Sequence, residues 1–332
     1  MSVASIGILG TGSYLPETVV TNAEVAARAD TTAEWIESRT QILNRRYAAP
    51  EEATSDLALR AAERALEASG LAAGQIDYLI VSTSTPDSPQ PPTAYHVQRG
   101  LNAYGAACFD INVVCSGFVY GLALARALIT QRPGSRALVI GADVYSRCLD
   151  FSDRRTAVLL GDGAGAVVVG EVDAPYGFLD FELGSRGDAH RLIRVEAGGS
   201  RLPASAGTLA EGGHFFRMEG RGVRDFVLDN FPAFVDKLTT RAGVALDRID
   251  HFVPHQPNGV MLSQLVEQSG LSAARTHRTL EQFGNTGSAS VPVTLDAACR
   301  KGLVHDGDLV LLAGFGGGMS LGAGLIRWGA TA

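Results

Sequence analysis

Short apolar runs alternate along the chain with longer amphipathic stretches. Tyr78–Ser82, Ala137–Ile140, Val167–Gly170 and Leu309–Ala313 are brief and mostly apolar, as strands buried on both faces must be. Ser55–Ala68, Gly117–Ile129, Val223–Leu238, Met261–Ser269 and Val291–Lys301 repeat their apolar positions every three to four residues, which predicts helices. Strands alternating with helices imply a layered α/β fold with covered sheets. Residues 196–214, rich in glycine, serine and alanine, predict a long loop.

The pattern also repeats. Ala68-Ser-Gly-Leu-Ala-Ala-Gly-Gln-Ile-Asp-Tyr-Leu-Ile-Val81 resembles Arg241-Ala-Gly-Val-Ala-Leu-Asp-Arg-Ile-Asp-His-Phe-Val-Pro254. Asp77 and Asp250 in these segments lie 173 positions apart, and so do Gly141 and Gly314 at the ends of two later apolar runs. Gly163-Ala-Gly-Ala-Val and Gly322-Ala-Gly-Leu-Ile form a third, shorter-spaced echo. A constant offset predicts a duplicated molecule, with halves 1–173 and 174–332.

The same offset carries Cys115 to position 288, three residues past Asn285, and carries His255 back to Ser82 at the end of a predicted strand. A pseudo-twofold axis between the halves would then bring thiol, imidazole and carboxamide to one place. Cys115 stands where an apolar run, Phe109-Asp-Ile-Asn-Val-Val-Cys115, breaks into Ser-Gly and continues as a helical pattern. A thiol at a helix start meets unpaired N–H groups and the positive end of the helix dipole, so a thiolate is expected. With a histidine and an asparagine against it, such a thiol becomes an acyl-accepting nucleophile.

Composition narrows the classes. Hydrophobic content of 46% against 19% charged residues in 332 residues suits a compact enzyme and excludes disorder. A net charge of −7 argues against nucleic acid as a partner. Cys108, Cys148 and Cys299 lack the surroundings of Cys115 and read as reduced structural thiols, consistent with a cytoplasmic protein. The start, Met1-Ser-Val-Ala-Ser-Ile-Gly, lacks the basic-then-apolar layout of a signal peptide. No apolar run reaches the length of a membrane span, and no Cys/His cluster has zinc spacing. Gly7-Ile-Leu-Gly10-Thr-Gly12 hints at dinucleotide binding, but Leu15 and Pro16 stand where a third glycine and a helix should be. His96, His190, His214, His251, His277 and His305 are expected at the surface or as capping groups.

Four motifs, in order, then carry a resemblance. They are Asp110-Ile-Asn-Val-Val-Cys115-Ser-Gly-Phe, Pro254-His255-Gln-Pro-Asn258, Gly284-Asn285-Thr-Gly-Ser-Ala-Ser-Val-Pro292 and Gly314-Phe315-Gly-Gly317-Gly. Together with Gly161-Asp-Gly-Ala-Gly-Ala166 and Glu34-Trp35-Ile-Glu-Ser-Arg39-Thr40, they resemble the β-ketoacyl-acyl-carrier-protein synthase III family across nearly the whole chain. The resemblance implies the thiolase fold, a five-layered αβαβα duplication, working as a homodimer. It implies that Cys115 takes an acyl group from coenzyme A, with His255 and Asn285 holding the carbonyl of a malonyl thioester as carbon dioxide leaves. It places an oxyanion hole at the backbone N–H groups of Cys115 and Gly317, and Phe315 beside the thiol. Trp35 and Arg154 would sandwich the adenine of coenzyme A, with Arg39 and Arg217 near the pantetheine mouth. No bound cofactor is implied, since coenzyme A thioesters are substrates, and an acyl carrier protein is a further partner.

Several positions depart from the family pattern. Gly259 and Val260 follow His255-Gln-Pro-Asn258, where a leucine and a carrier-docking arginine are usual. Gln90 stands where an aromatic commonly caps the partner subunit's acyl pocket, which points to a primer other than acetyl. Gln41 replaces the glycine after Arg39-Thr40, and Val113-Val114 replace small residues before the thiol. Arg217, Arg221, Arg224 and Lys237 are left to supply any positive docking surface. These departures suggest a specialised relative in secondary metabolism or alternative chain priming. The expected reaction is a decarboxylative Claisen condensation. The alternative is acyl transfer to an oxygen or nitrogen nucleophile, with His255 as general base.

Overall fold

Two five-stranded sheets with the same internal order build the protein, whose computed structural model describes residues 5–329. The opening Met1-Ser-Val-Ala and the closing Ala330-Thr-Ala therefore lie outside the described residues. The first sheet uses β1 (Ser5–Tyr14), β2 (Tyr78–Ser82), β3 (Ala107–Ile111), β4 (Ala137–Val144) and β5 (Asp162–Val172). The second uses β6 (Gly177–Ser185), β7 (His251–Pro254), β8 (Arg275–Thr276), β9 (Leu309–Gly316) and β10 (Ser320–Arg327). Their orders are β1-β5-β4-β2-β3 and β6-β10-β9-β7-β8. Strand directions also agree: β2 runs parallel to β3 and β4, as β7 does to β8 and β9. The remaining pairings are antiparallel in both sheets.

Side chains alternate across each sheet, so the two faces feed different cores. Leu79, Val81, Leu138 and Ile140 pack outward with Leu57, Ala61 and Ala65 of α2 (Thr54–Ser69) and Val97 of α3 (Thr93–Leu101). Ile80 and Val139 point the other way, to a central core with Phe118 and Leu122 of α4 (Gly117–Gln131) and Val291 and Leu295 of α7 (Ser290–Arg300). In the second sheet Val310 and Leu312 join that central core. Leu311 and Ala313 face α5 (Gly220–Ala242) and α6 (Gly259–Gln268). The layers thus run helix, sheet, helix pair, sheet, helix, the five-layered αβαβα thiolase arrangement. Val114–Gln131 is long and apolar enough to pass for a membrane span. The fold accounts for it: α4 is apolar because a sheet lies on either side of it.

The repeat has a counterpart at atomic scale. A Cβ added to Gly141 on β4 would come within 2.4 Å of the Ser288 carbonyl oxygen. One added to Gly314 on β9, 173 positions later, would come within 2.7 Å of Ser116 Cα. Each half's glycine strand therefore admits the backbone that leads into the other half's central helix.

Two histidines expected near the surface are buried instead. His251 Nδ1 meets His277 Nε2 at 3.0 Å, and His251 Nε2 meets Asp308 Oδ2 at 3.0 Å. Burial, reinforced by His251, Arg275 and Lys301, lowers His277 to about 4. Polar histidines survive there because each ring nitrogen that meets the interior has a partner.

Candidate active site

Cys115 lies in a single helical turn, Val114–Ser116, between the end of β3 and α4. Val114 holds φ 48°, a left-handed conformation that a β-branched residue adopts only under constraint, at about 1–3 kcal/mol. Asn112 steadies this elbow, its Oδ1 accepting from Val114 N at 3.2 Å. From the second half, β9 approaches so closely that a Cβ on Gly316 would lie 2.7 Å from Cys115 N. Only glycine lets that strand lie against the backbone of Cys115.

His255 follows β7, and its backbone N–H donates to Ala313 O on β9 at 2.7 Å. Its ring is 2% exposed and lies edge-on to Phe315, centroids 5.2 Å apart. Nδ1 meets Ser290 Oγ at 2.6 Å, and Ser290 Oγ also donates to Gly287 O at 2.9 Å. Asn285 is pinned by its backbone, donating to Leu159 O at 2.8 Å and accepting from Gly161 N at 2.9 Å. Its Oδ1 accepts from Gly287 N at 2.9 Å, which orients Nδ2 as the remaining donor.

Cys115, His255 and Asn285 together line one chamber of about 30 Å³, walled by Phe315, Met218 and Val223. Room for a water needs about 10–15 Å³, so the chamber excludes all but one or two. Asn285, Met218, Val223, Pro257 and Met261 also line a wider cavity of about 370 Å³, so the two spaces adjoin. That outer cavity carries Trp35 and Arg39 of α1 (Ala33–Thr40) and Val260 of α6.

Electrostatics correct the expectation of a resting thiolate. Burial pushes the Cys115 thiol far above its ordinary range, the nearby Asp143 raises it further, and the residue's own backbone N–H only partly opposes them. Desolvation outweighs the helix-end field because water is nearly absent. Burial also lowers His255 to about 3, so its imidazole is neutral at pH 7. Thiol and neutral imidazole are thus the resting pair. Asp143 is itself fully buried, accepting from Ser84 N, Thr85 Oγ1, Ser288 N and Ser288 Oγ at 2.8–2.9 Å. It ties the first sheet to the segment carrying Asn285.

Other expected residues fall at different distances from this chamber. Phe315 is 3% exposed and forms its wall. Gly317 lies one residue beyond the close contact at Gly316, and a Cβ there would meet Val114 at 3.2 Å. Arg154 sits over Trp35 with its guanidinium 5.1 Å from the ring centroid. A base stacked between them needs roughly 7 Å, two van der Waals separations, so the expected sandwich is closed here and Arg154 must swing out to admit one. Arg217 pairs with Asp150 at 2.7 Å and lines, with Arg155, Arg194 and Arg221, a polar cavity of about 770 Å³. Lys237 is bound to Glu182 and Arg224 to Asp225, so both are committed to neighbours on this chain. Gln90 is exposed on the loop before α3 and does not line either cavity of the protomer. Among the described residues no group of three or more His, Cys, Asp or Glu could hold a metal. Ser290, Asp143 and Gly316 were not singled out by sequence. Small or acidic residues near glycine carry no pattern, and only the repeat, which sets position 115 against 288, pointed toward their neighbourhood.

Known proteins agree with this architecture. Residues 109–187 match the family model for 3-oxoacyl-[acyl-carrier-protein] synthase III, and residues 239–328 match the model for its C-terminal part. The acetoacetyl CoA synthase NphT7 of Streptomyces sp. (strain CL190) is 49% identical over 97% of this chain and 98% of its own. A β-ketoacyl-[acyl-carrier-protein] synthase III of Caldanaerobacter subterraneus subsp. tengcongensis is 43% identical over 97% of each chain. The solved 3-oxoacyl-(acyl carrier protein) synthase III of Pseudomonas aeruginosa PAO1 superposes with a TM-score of 0.90 at 37% identity, covering 99% of both chains. With one family segment in each half and likeness along nearly the full length, this thiolase-fold chain belongs to the 3-oxoacyl-[acyl-carrier-protein] synthase III family of ketoacyl synthases.

Proposed function

We propose that Cys115 is loaded with a short acyl group from coenzyme A and then condensed with a malonyl thioester, releasing carbon dioxide and a β-ketoacyl product. The chamber shared by Cys115, His255 and Asn285 carries this reading. In the first half-reaction the Cys115 sulfur attacks the thioester carbonyl while its proton passes to His255 Nε2. Backbone N–H groups of Cys115 and Gly317 hold the oxyanion. Collapse expels the coenzyme A thiolate, which takes the proton back from His255. In the second, His255 and Asn285 Nδ2 donate to the malonyl thioester carbonyl. Loss of carbon dioxide leaves an enolate whose carbon attacks the acyl-Cys115 carbonyl, expelling the Cys115 thiolate, which takes a proton from water as the product leaves. Each oriented donor in such a site is worth about 10²–10³ in rate.

Two features refine the substrates. A chamber of about 30 Å³ favours the smallest acyl groups, acetyl foremost, against the primer other than acetyl that Gln90 suggested. Val260, in the outer cavity, offers no charge to an acidic carrier protein. Of the four basic residues named from sequence, Arg217, Arg224 and Lys237 are paired with carboxylates, while Arg221 lines the polar cavity. Malonyl-coenzyme A is therefore favoured as acceptor, in keeping with the activity for which the Streptomyces relative is named. Coenzyme A thioesters enter as substrates, and the scheme uses no bound cofactor. We place the adenine at Trp35 and Arg154 after the arginine moves, with Arg39 and Arg217 near the pantetheine mouth.

Acyl-coenzyme A thioesters of increasing length, followed by mass measurement of the Cys115 peptide, test the first step. Acetyl should load fastest, and Cys115→Ala should carry no added mass. Carbon dioxide release from malonyl-coenzyme A tests the second, with Asn285→Ala expected to lose about 10²-fold. Equal release by both proteins would remove the enolate role, and a product formed without decarboxylation would establish simple acyl transfer instead.

A further inference from the structure

We propose that Gln41 is a clasp that sets the width of the outer cavity and so determines how well the adenine-nucleotide half of a coenzyme A thioester is held. The inference rests on the reading that this cavity takes coenzyme A. Gln41 caps α1 at φ 61° and ψ 16°, the left-handed region where glycine is at ease and glutamine is not. Its side chain explains why glutamine is held there. Gln41 Oε1 accepts from Arg278 Nη1 at 3.0 Å, and Arg278 Nη2 donates to Ser263 Oγ on α6 at 2.8 Å. Gly259, in the first turn of α6, lies so close that an added Cβ would meet Gln41 Oε1 at 2.3 Å and Gln41 Cβ at 2.8 Å. Gln41 and Gly259 therefore fit each other as a pair.

A second stitch lies beside the first. Asn258 Nδ2 donates to the Arg39 carbonyl at the end of α1, at 2.9 Å. Its Oδ1 accepts from Val260 N and Met261 N at 2.8 and 3.1 Å, starting α6. The last turn of one helix is thus tied to the first turn of another, and both helices line the outer cavity, one through Trp35 and Arg39 and the other through Val260 and Met261. No residue of α1 lines the inner chamber. The clasp accordingly acts on the part of the substrate farthest from the reacting carbonyl, and Gln41 is a positioning residue without a chemical role.

Comparing two thioesters isolates this effect. Acetyl-coenzyme A carries the adenine nucleotide that we place at Trp35 on α1, whereas acetyl-pantetheine lacks it. In Gln41→Gly, which also relieves the left-handed strain, KM for Cys115 acylation should rise about tenfold more for acetyl-coenzyme A than for acetyl-pantetheine, the loss of roughly one charge-assisted hydrogen bond. Gln41→Glu, whose carboxylate still accepts from Arg278, should restore the wild-type ratio. Gly259→Ala should damage the wild type but be tolerated in the Gln41→Gly background. Equal KM changes for the two thioesters, or no change, would overturn the clasp. Calorimetric binding of coenzyme A itself to wild type and Gln41→Gly decides the same question without chemistry. Failure of Cys115 to acylate in any variant would count against the catalytic reading alone.

Discussion

Ser290 has one hydroxyl proton and two acceptors within reach, His255 Nδ1 at 2.6 Å and Gly287 O at 2.9 Å. Given to Gly287, it leaves Nδ1–H donating to serine and a bare Nε2, the form that can accept the Cys115 proton. Given to Nδ1, it makes Nε2–H, the form that can donate to a thioester carbonyl. Removing the hydroxyl withdraws that choice. Ser290→Ala should slow malonyl decarboxylation about 10–100-fold with little change in KM, while Ser290→Thr should recover most of it; steady-state carbon dioxide release reads both. The depressed pKa of His255 gives a second prediction. Folded, it protonates near 3 rather than 6.5, so acidifying from pH 8 to 5 leaves it neutral. The pH profile of Cys115 acylation should have no acid limb between 8 and 5, and a limb centred near 6.5 would contradict the burial argument. That Cys115, His255 and Asn285 share one chamber was readable from sequence, because motif and repeat agreed on them. The protonation of Cys115 was not, since it depends on how completely two halves exclude water.

Some elements were readable almost to the residue: Tyr78–Ser82 is β2, and the predicted Val291–Lys301 is α7 at Ser290–Arg300. Others run longer than their apolar pattern, Val223–Leu238 extending to Gly220–Ala242 and Ala137–Ile140 to Ala137–Val144. Glycine-rich strands were not readable. β1 reads Ser-Ile-Gly-Ile-Leu-Gly-Thr-Gly-Ser-Tyr, its apolar alternation interrupted where α2 comes close. A Cβ on Gly12 would lie 2.3 Å from Ala65 N, so the residues that hid the strand are those that let the helix pack on it. The equivalent glycines between sheet and central helices make a testable pair. Gly141→Ala and Gly314→Ala should each cost about 1–3 kcal/mol through overpacking, measurable as lowered midpoints in denaturant unfolding. An unchanged midpoint in either would mean that the two contacts are looser than the geometry indicates.

At the scale of the whole molecule, β3 is an open edge of the first sheet, with Phe109 and Ile111 only half-buried. Tyr95 on α3 and Tyr104 in the turn after it, 50% and 67% exposed, lead to that edge. Unprotected edges of this kind invite pairing with a second strand. A second copy of the chain would continue the sheet, and Gln90 lies on the loop before α3. Light scattering at micromolar concentration should give about twice the 34.8 kDa chain mass; a monomer would exclude the pairing.

The first sheet ends at Val172 and the second begins at Gly177, yet the thiol stands on one side of that short connection and the imidazole and carboxamide on the other. A chain cut between Asp173 and Tyr176 would therefore leave Cys115 on one fragment and His255 and Asn285 on the other. Neither fragment should turn over substrate alone, each having lost half of its central helix layer. Synthesised together, the fragments should find each other along that layer and recover activity by complementation, making the enzyme's own seam a switch that dilution can open.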